Sequence, residues 1–235
     1  MYRIWIRTRS VALVLGAIAI ANLVNACSTP TQNQTQAPSP TATAPGSNPT
    51  DHGNDHHGNM MDHSTGMELG PADSEFDLRF VDAMIPHHEG AIAMAKEAQQ
   101  KSQRPEIQKL AAGIIAAQNR EIGELKQWRQ AWYPNASAQP VAWNPRTGHA
   151  MPMSADQRKG MAMEMNLGAA DAEFDLRFIN AMIPHHEGAV TMAQEALGKS
   201  KRPEIQKLAQ DIIKSQETEI QQMQQWRKAW YSNAK

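Results

Sequence analysis

Apolar residues recur every three to four positions over two long stretches of this chain, and the two stretches are nearly the same text. Between Asp73 and Lys101 the apolar positions follow helical spacing, Ser102 and Gln103 interrupt it, and Pro105 stands where a second helix can begin without needing its N–H. Ile107, Leu110, Ile114, Ile115, Ile122 and Leu125 then form a single stripe running to Trp128 and Trp132, so the second helix is amphipathic. Asp73 or Ser74 is the predicted N-cap of the first helix. Pro86 lies inside the first periodic stretch, where it removes a hydrogen bond and crowds the preceding turn. The expectation is a break or sharp kink immediately before His87.

The same pattern returns 98 residues later. Residues 71–133 align with 169–231 without a gap, with 42 identities in 63 positions, so the chain contains a duplication. Phe76-Asp77-Leu78-Arg79-Phe80 recurs as Phe174-Asp175-Leu176-Arg177-Phe178, and Met84-Ile85-Pro86-His87-His88-Glu89-Gly90 as Met182-Ile183-Pro184-His185-His186-Glu187-Gly188. One hairpin of this size buries little by itself. Two give four long helices, and the predicted fold is all-α: a four-helix-bundle-like assembly of two duplicated helical hairpins with a disordered N-terminal tail. Residues 134–168 cross outside the bundle, and Ser154 to Gln157 has the spacing of a capping box for a short helix.

The N-terminal quarter has no such periodicity. Arg3, Arg7 and Arg9 precede an apolar run and the small-residue site Val24-Asn25-Ala26, a signal peptide over 1–26 that makes this an exported, periplasmic or extracytoplasmic protein. The apolar run is too short to span a bilayer. Cys27 follows directly, and both lipidation there and simple cleavage fit; a lipid anchor at Cys27 is the one membrane attachment in view. Residues 27–58 read as a flexible tether and His-rich tail, 59–133 as the first Met/His helical repeat, 134–168 as a Met-rich connection and 169–235 as the second repeat.

Composition sharpens this. Cys27 is the sole cysteine among 235 residues, which excludes a disulfide framework, a zinc ribbon and a Cys-x-x-Cys redox site. With 23 Lys plus Arg against 24 Asp plus Glu there is no basic field to draw the chain onto nucleic acid. From residue 27 onward Met outnumbers Leu, 13 to 8, an inversion of ordinary usage that calls for a cause.

Metal chemistry supplies one. On a helix turning about 100° per residue, Met84, His87, His88 and Met94 share one face, and Met182, His185, His186 and Met192 repeat it. Thioether and neutral imidazole suit Cu(I), and Ag(I) as its surrogate, whereas zinc, iron and manganese favour thiolate or carboxylate partners. The bland alternative is Met as core filler and His as polar edge contacts. Further candidate ligands are Met60, Met61, His63 and Met67 in the tail, and His149, Met151, Met153, Met161, Met163 and Met165 in the connection. Glu89 and Glu187 either orient an imidazole or make surface pairs. The Glu-x-x-His pairs of a di-iron bundle do not occur around the His pair, and no nucleophile elbow or phosphate loop is present.

The Ile-Pro-His-His-Glu-Gly-Ala motif, with Phe-Asp upstream and Gln118-x-x-Glu121-Ile122-x-x-Leu125-x-x-Trp128 downstream, resembles an exported bacterial domain family of formerly unknown function. The tandem arrangement behind a His/Met-rich tail is similar to periplasmic copper-binding members of that family. The resemblance implies a helical bundle that binds Cu(I) or Ag(I) through Met and His and sequesters it or hands it to a copper acceptor or efflux protein. It also implies a sulfur ligand at Met223, where the first copy has Leu125. The expectation is therefore a non-enzymatic copper carrier or buffer with two pseudo-equivalent Met/His sites. A metal-dependent oxidase and a non-metal structural or interaction module are the alternatives.

Overall fold

The structure, a computed structural model, describes residues 68–232. The segments expected to be leader, tether and His-rich tail, with Cys27, Met60, Met61, His63 and Met67, lie outside the described residues. The elements run α1 (Phe76–Lys101), α2 (Pro105–Trp132), β1 (Val141–Asn144), β2 (His149–Pro152), α3 (Ala155–Ala162), α4 (Phe174–Lys199) and α5 (Pro203–Trp230). The fold is helical, as expected, and each copy of the repeat is a hairpin of two helices.

Two details of the first helix differ from expectation. The N-cap is Glu75, with no side-chain cap; Asp73 instead shapes the turn before it, its Oδ1 accepting the Glu75 N–H at 2.9 Å. The helix also continues through Pro86, as α4 does through Pro184. A proline there costs roughly 3 kcal/mol. Burial on both sides of it outweighs that, because Ala83, Met84, His87, His88 and Ala91 are all enclosed and would be re-exposed by a break.

The duplication becomes a pseudo-two-fold arrangement in which α1 packs on α4. One apolar core joins the start of α1 (Phe76, Phe80, Met84) to the end of α4 (Met192, Ala196) and the start of α5 (Ile205, Ile212). The other joins the start of α4 (Phe174, Phe178, Met182) to the end of α1 (Met94, Ala98) and the start of α2 (Ile107, Ile114). Shifting by 98 carries one set onto the other. Reciprocal contacts close both ends: Arg104 pairs with Asp175 at 3.4 Å and Arg202 with Asp77 at 3.2 Å. Each of these arginines also lies 4.2 Å from the ring centre of a tryptophan of the other repeat, Trp230 and Trp132.

The connection breaks the symmetry. Strands β1 and β2 form an antiparallel hairpin, Val141 opposite Pro152, that the helical periodicity did not predict. It docks on the first repeat, where the Val141 N–H donates to Asp82 Oδ2 at 2.9 Å and Arg129 pairs with the same buried carboxylate. The short helix α3 has the expected capping box, Ser154 and Gln157 each bonding the other's backbone N–H. Its C-terminus lies against Gly90, where a Cβ would stand 1.8 Å from the Ala162 carbonyl oxygen.

Candidate metal centre

Along α1 the histidines fall between the segments feeding the two apolar cores, and along α4 they do the same. Antiparallel crossing therefore brings both His pairs to the middle of the bundle as one layer. His87, His88, His185 and His186 are each at most 1% exposed. The rings of His87 and His185 meet across the pseudo-axis at 4.0 Å, while the neighbours His87/His88 and His185/His186 stand 6.5 and 6.3 Å apart, edge to face.

Their partners are few. His186 Nε2 lies 2.7 Å from Glu219 Oε2 on α5, in hydrogen-bond geometry. His88 Nε2 lies 2.9 Å from Glu121 Oε2 on α2, a contact by distance without that alignment. His185 Nε2 donates to the Ala162 carbonyl at 3.0 Å. Neither ring nitrogen of His87 has a partner, nor does Nδ1 of His88, His185 or His186. A buried polar atom left unpaired costs about 1–3 kcal/mol, so this layer stores an unmet demand for something to bind.

Electrostatics keep part of it neutral. Burial, then the like charges of His185, His88 and His186, hold His87 well below the usual imidazole range. Burial, then His186, lowers His185 to about 3, with the Ala162 carbonyl opposing the shift. Uncharged imidazole is the form that binds metal.

Methionines lie in both of the cores that flank the layer. Met84, Met153, Met161 and Met192 belong to one core, Met94, Met182 and Met223 to the other, and each is at most 6% exposed. Among the described residues no three His, Cys, Asp or Glu side chains group closely enough to hold an ion by themselves, so a cation here would draw on thioether as well as imidazole. The other candidates are dispersed. Met163 is half-buried in a left-handed conformation at the end of α3, Met165 is exposed, and His149 is exposed on β2. Met151 is also exposed, its sulfur accepting a hydrogen bond from Asn144.

Of the two readings of Glu89 and Glu187, imidazole partner or surface pair, Glu89 takes the second: both residues are exposed, and Glu89 pairs with Lys126 at 3.1 Å. The carboxylates at the histidines are Glu121 and Glu219. The signal was present, since Gln118 and Glu121 fall on the apolar stripe of α2, where polar residues do not belong without a partner.

A model of the family described as a domain of unknown function, DUF305, matches residues 21–129 and 77–227, and the chain belongs to that family. Within it the chain is of the CopM type. It is 42% identical to CopM in its Cu(I)-bound form, with a TM-score of 0.51, over 66% of this chain and 97% of CopM. Against the Cu(II)-bound form it is 45% identical at a TM-score of 0.54, again over 66% of this chain and 97% of CopM. Against an Ag-bound form obtained by soaking it is 41% identical at 0.52, with the same coverage. It is also 47% identical over 49 residues to an uncharacterised protein of Acanthamoeba polyphaga mimivirus, spanning 21% of this chain and 32% of the viral protein.

Proposed function

We propose that this protein is an exported, non-enzymatic carrier or buffer that binds Cu(I), and Ag(I) as its surrogate, through the buried His/Met centre. In that role it sequesters copper or passes it to an acceptor or efflux protein, contributing to copper resistance. The observation that carries this reading is the enclosed layer of four histidines with unpaired ring nitrogens, set between two methionine-bearing cores. CopM, with which this chain shares 41–45% identity, has Cu(I)-, Cu(II)- and Ag-bound forms. The ligand types favour the soft monovalent ions. Export rests on the leader-like N-terminus, with Cys27 as a candidate lipid anchor.

Metal analysis and anaerobic Cu(I) titration against a chromophoric chelator test it. Changing His87, His88, His185 and His186 together to Ala should lower the stoichiometry while helical circular dichroism persists. Undiminished stoichiometry would remove the histidine layer from the function. Deleting residues 28–68 should remove tail-bound metal and leave at least one ion in the bundle. Sustained oxygen uptake with Cu(I) as electron donor would replace the carrier with an oxidase.

A further inference from the structure

A carbonyl oxygen can only accept, so the 3.0 Å contact with Ala162 fixes the proton of His185 on Nε2 and leaves the Nδ1 lone pair free. The same division of labour recurs at His186, where the Glu219 carboxylate takes the carbonyl's place, and at the equivalent His88 the Glu121 carboxylate lies 2.9 Å from Nε2 without hydrogen-bond alignment. At both, Nδ1 is buried and unpartnered. An ionised carboxylate is likewise acceptor-only, so a neutral imidazole against it carries its proton on Nε2. Glu121 is itself 4% exposed, and the Glu219 side chain 21%, so each acts from within the bundle.

We propose that Glu121 and Glu219 are the positioning residues of the metal centre: each takes the Nε2–H of its histidine, leaving Nδ1 of His88 and His186 as the ligand atom for a soft monovalent cation. This rests on the copper reading above. A carboxylate behind a ligating imidazole fixes its tautomer, holds the ring plane and raises the basicity of the opposite nitrogen. His87 has no such partner, so its ring is free to choose either nitrogen. The two carboxylates are unequal, because Glu219 is aligned with His186 and Glu121 meets His88 by distance alone.

Long-range proton–nitrogen correlation spectra of the metal-free full chain, near neutral pH, read the tautomers directly. His88, His185 and His186 should all be Nε2–H. Glu219→Ala should admit the Nδ1–H form at His186 and leave His88 unchanged, a local signature that general loss of stability would not produce. Glu219→Gln keeps an acceptor and the fold but loses the charge; Ag(I) affinity, measured by competition, should fall roughly 10- to 100-fold, and less for Glu121→Gln. Nδ1–H tautomers at His88 and His186 in the parent chain, or Glu219→Gln binding at parent affinity, would overturn the proposal. A parent chain with the expected tautomers and no Ag(I) uptake overturns instead the copper function and the ligand role together.

Discussion

The two repeats are the same helical hairpin written twice, yet their surroundings differ in ways the alignment treats as trivial. The second repeat's His185 bonds to the carbonyl of Ala162, whereas the first repeat's His87 has no partner. The first repeat's Asp82 is buried and anchors the β-hairpin; its counterpart Asn180 is exposed, 3.3 Å from Arg227. The residues facing the shared axis stayed alike, among them the histidines, Glu121 and Glu219, and the phenylalanines of both cores. Of the 21 differing positions, 11 lie along α2 and α5, mostly on their exposed faces, while Asp82 against Asn180 marks the place where the connection docks. The duplication thus sets up a symmetric histidine layer that an asymmetric connection then makes inequivalent.

The largest expected effect comes from prising that connection off. Gly90→Ala would place a methyl 1.8 Å from the Ala162 oxygen and 2.7 Å from its carbon, backbone atoms that cannot step aside singly. Overpacking of this kind costs about 3 kcal/mol, a fall in Tm of roughly 6–12 °C for a chain of this size. Gly113→Ala on α2 meets nothing within 4 Å and should instead raise stability by about 0.5–1 kcal/mol. Thermal unfolding of the pair checks both signs, and equal melting temperatures would mean that α3 does not press on α1.

Acid should act on the histidine layer next. His87 and His185 titrate lower when folded than unfolded, so below the unfolded value of 6.5 the unfolded chain binds more protons and is favoured. Their neutral burial is therefore without penalty above about pH 6.5 and is increasingly penalised from there toward about pH 3. His185 alone contributes a loss on the order of 3 kcal/mol by about pH 4. Urea unfolding of metal-free protein should show this slope, and His185→Gln should flatten it; an unaltered slope would place the acid sensitivity elsewhere.

A smaller effect tests the hairpin's anchor. Asp82→Asn gives the first repeat the second repeat's residue and leaves Arg129 without its counter-charge, at a cost of about 2 kcal/mol because Arg129 is partly exposed. The exchange Asn180→Asp, on the surface, should stay within about 0.5 kcal/mol. Equal costs measured by denaturant unfolding would mean that the hairpin does not depend on Asp82.

These differences mark what could be read in advance. Helical periodicity, Pro105 and the 98-residue repeat dictated both hairpins, because the burial pattern of a long amphipathic helix is written locally. The capping box of α3 was legible for the same reason. Continuity through Pro86 was not, since a local penalty was outweighed by burial that only tertiary packing supplies. The meeting of His87 with His185 lay equally out of reach, because face analysis of single helices says which residues share a side and nothing about which helix crosses there. Glu89 could be read either as an imidazole partner or as a surface pair and proved the latter, while the carboxylate at His88 stood on the next helix, at Glu121.

The smallest expected change in stability carries the finest distinction between the repeats. Leu125 and Met223 occupy equivalent places, both fully buried, one in each core. Leucine and methionine are close in volume, so exchanging them should cost under about 1.5 kcal/mol in either direction. They differ in one polarizable sulfur, which matters only if a soft cation reaches it. On the carrier reading Met223→Leu weakens Ag(I) binding with little loss of stability, and Leu125→Met added to it returns binding by placing the sulfur in the other core. Competition titration of the parent, the single variants and the swapped double variant decides this. If all four bind Ag(I) alike, the sulfur of Met223 is packing alone, and the ligands must come from the methionines beside the histidines on α1 and α4.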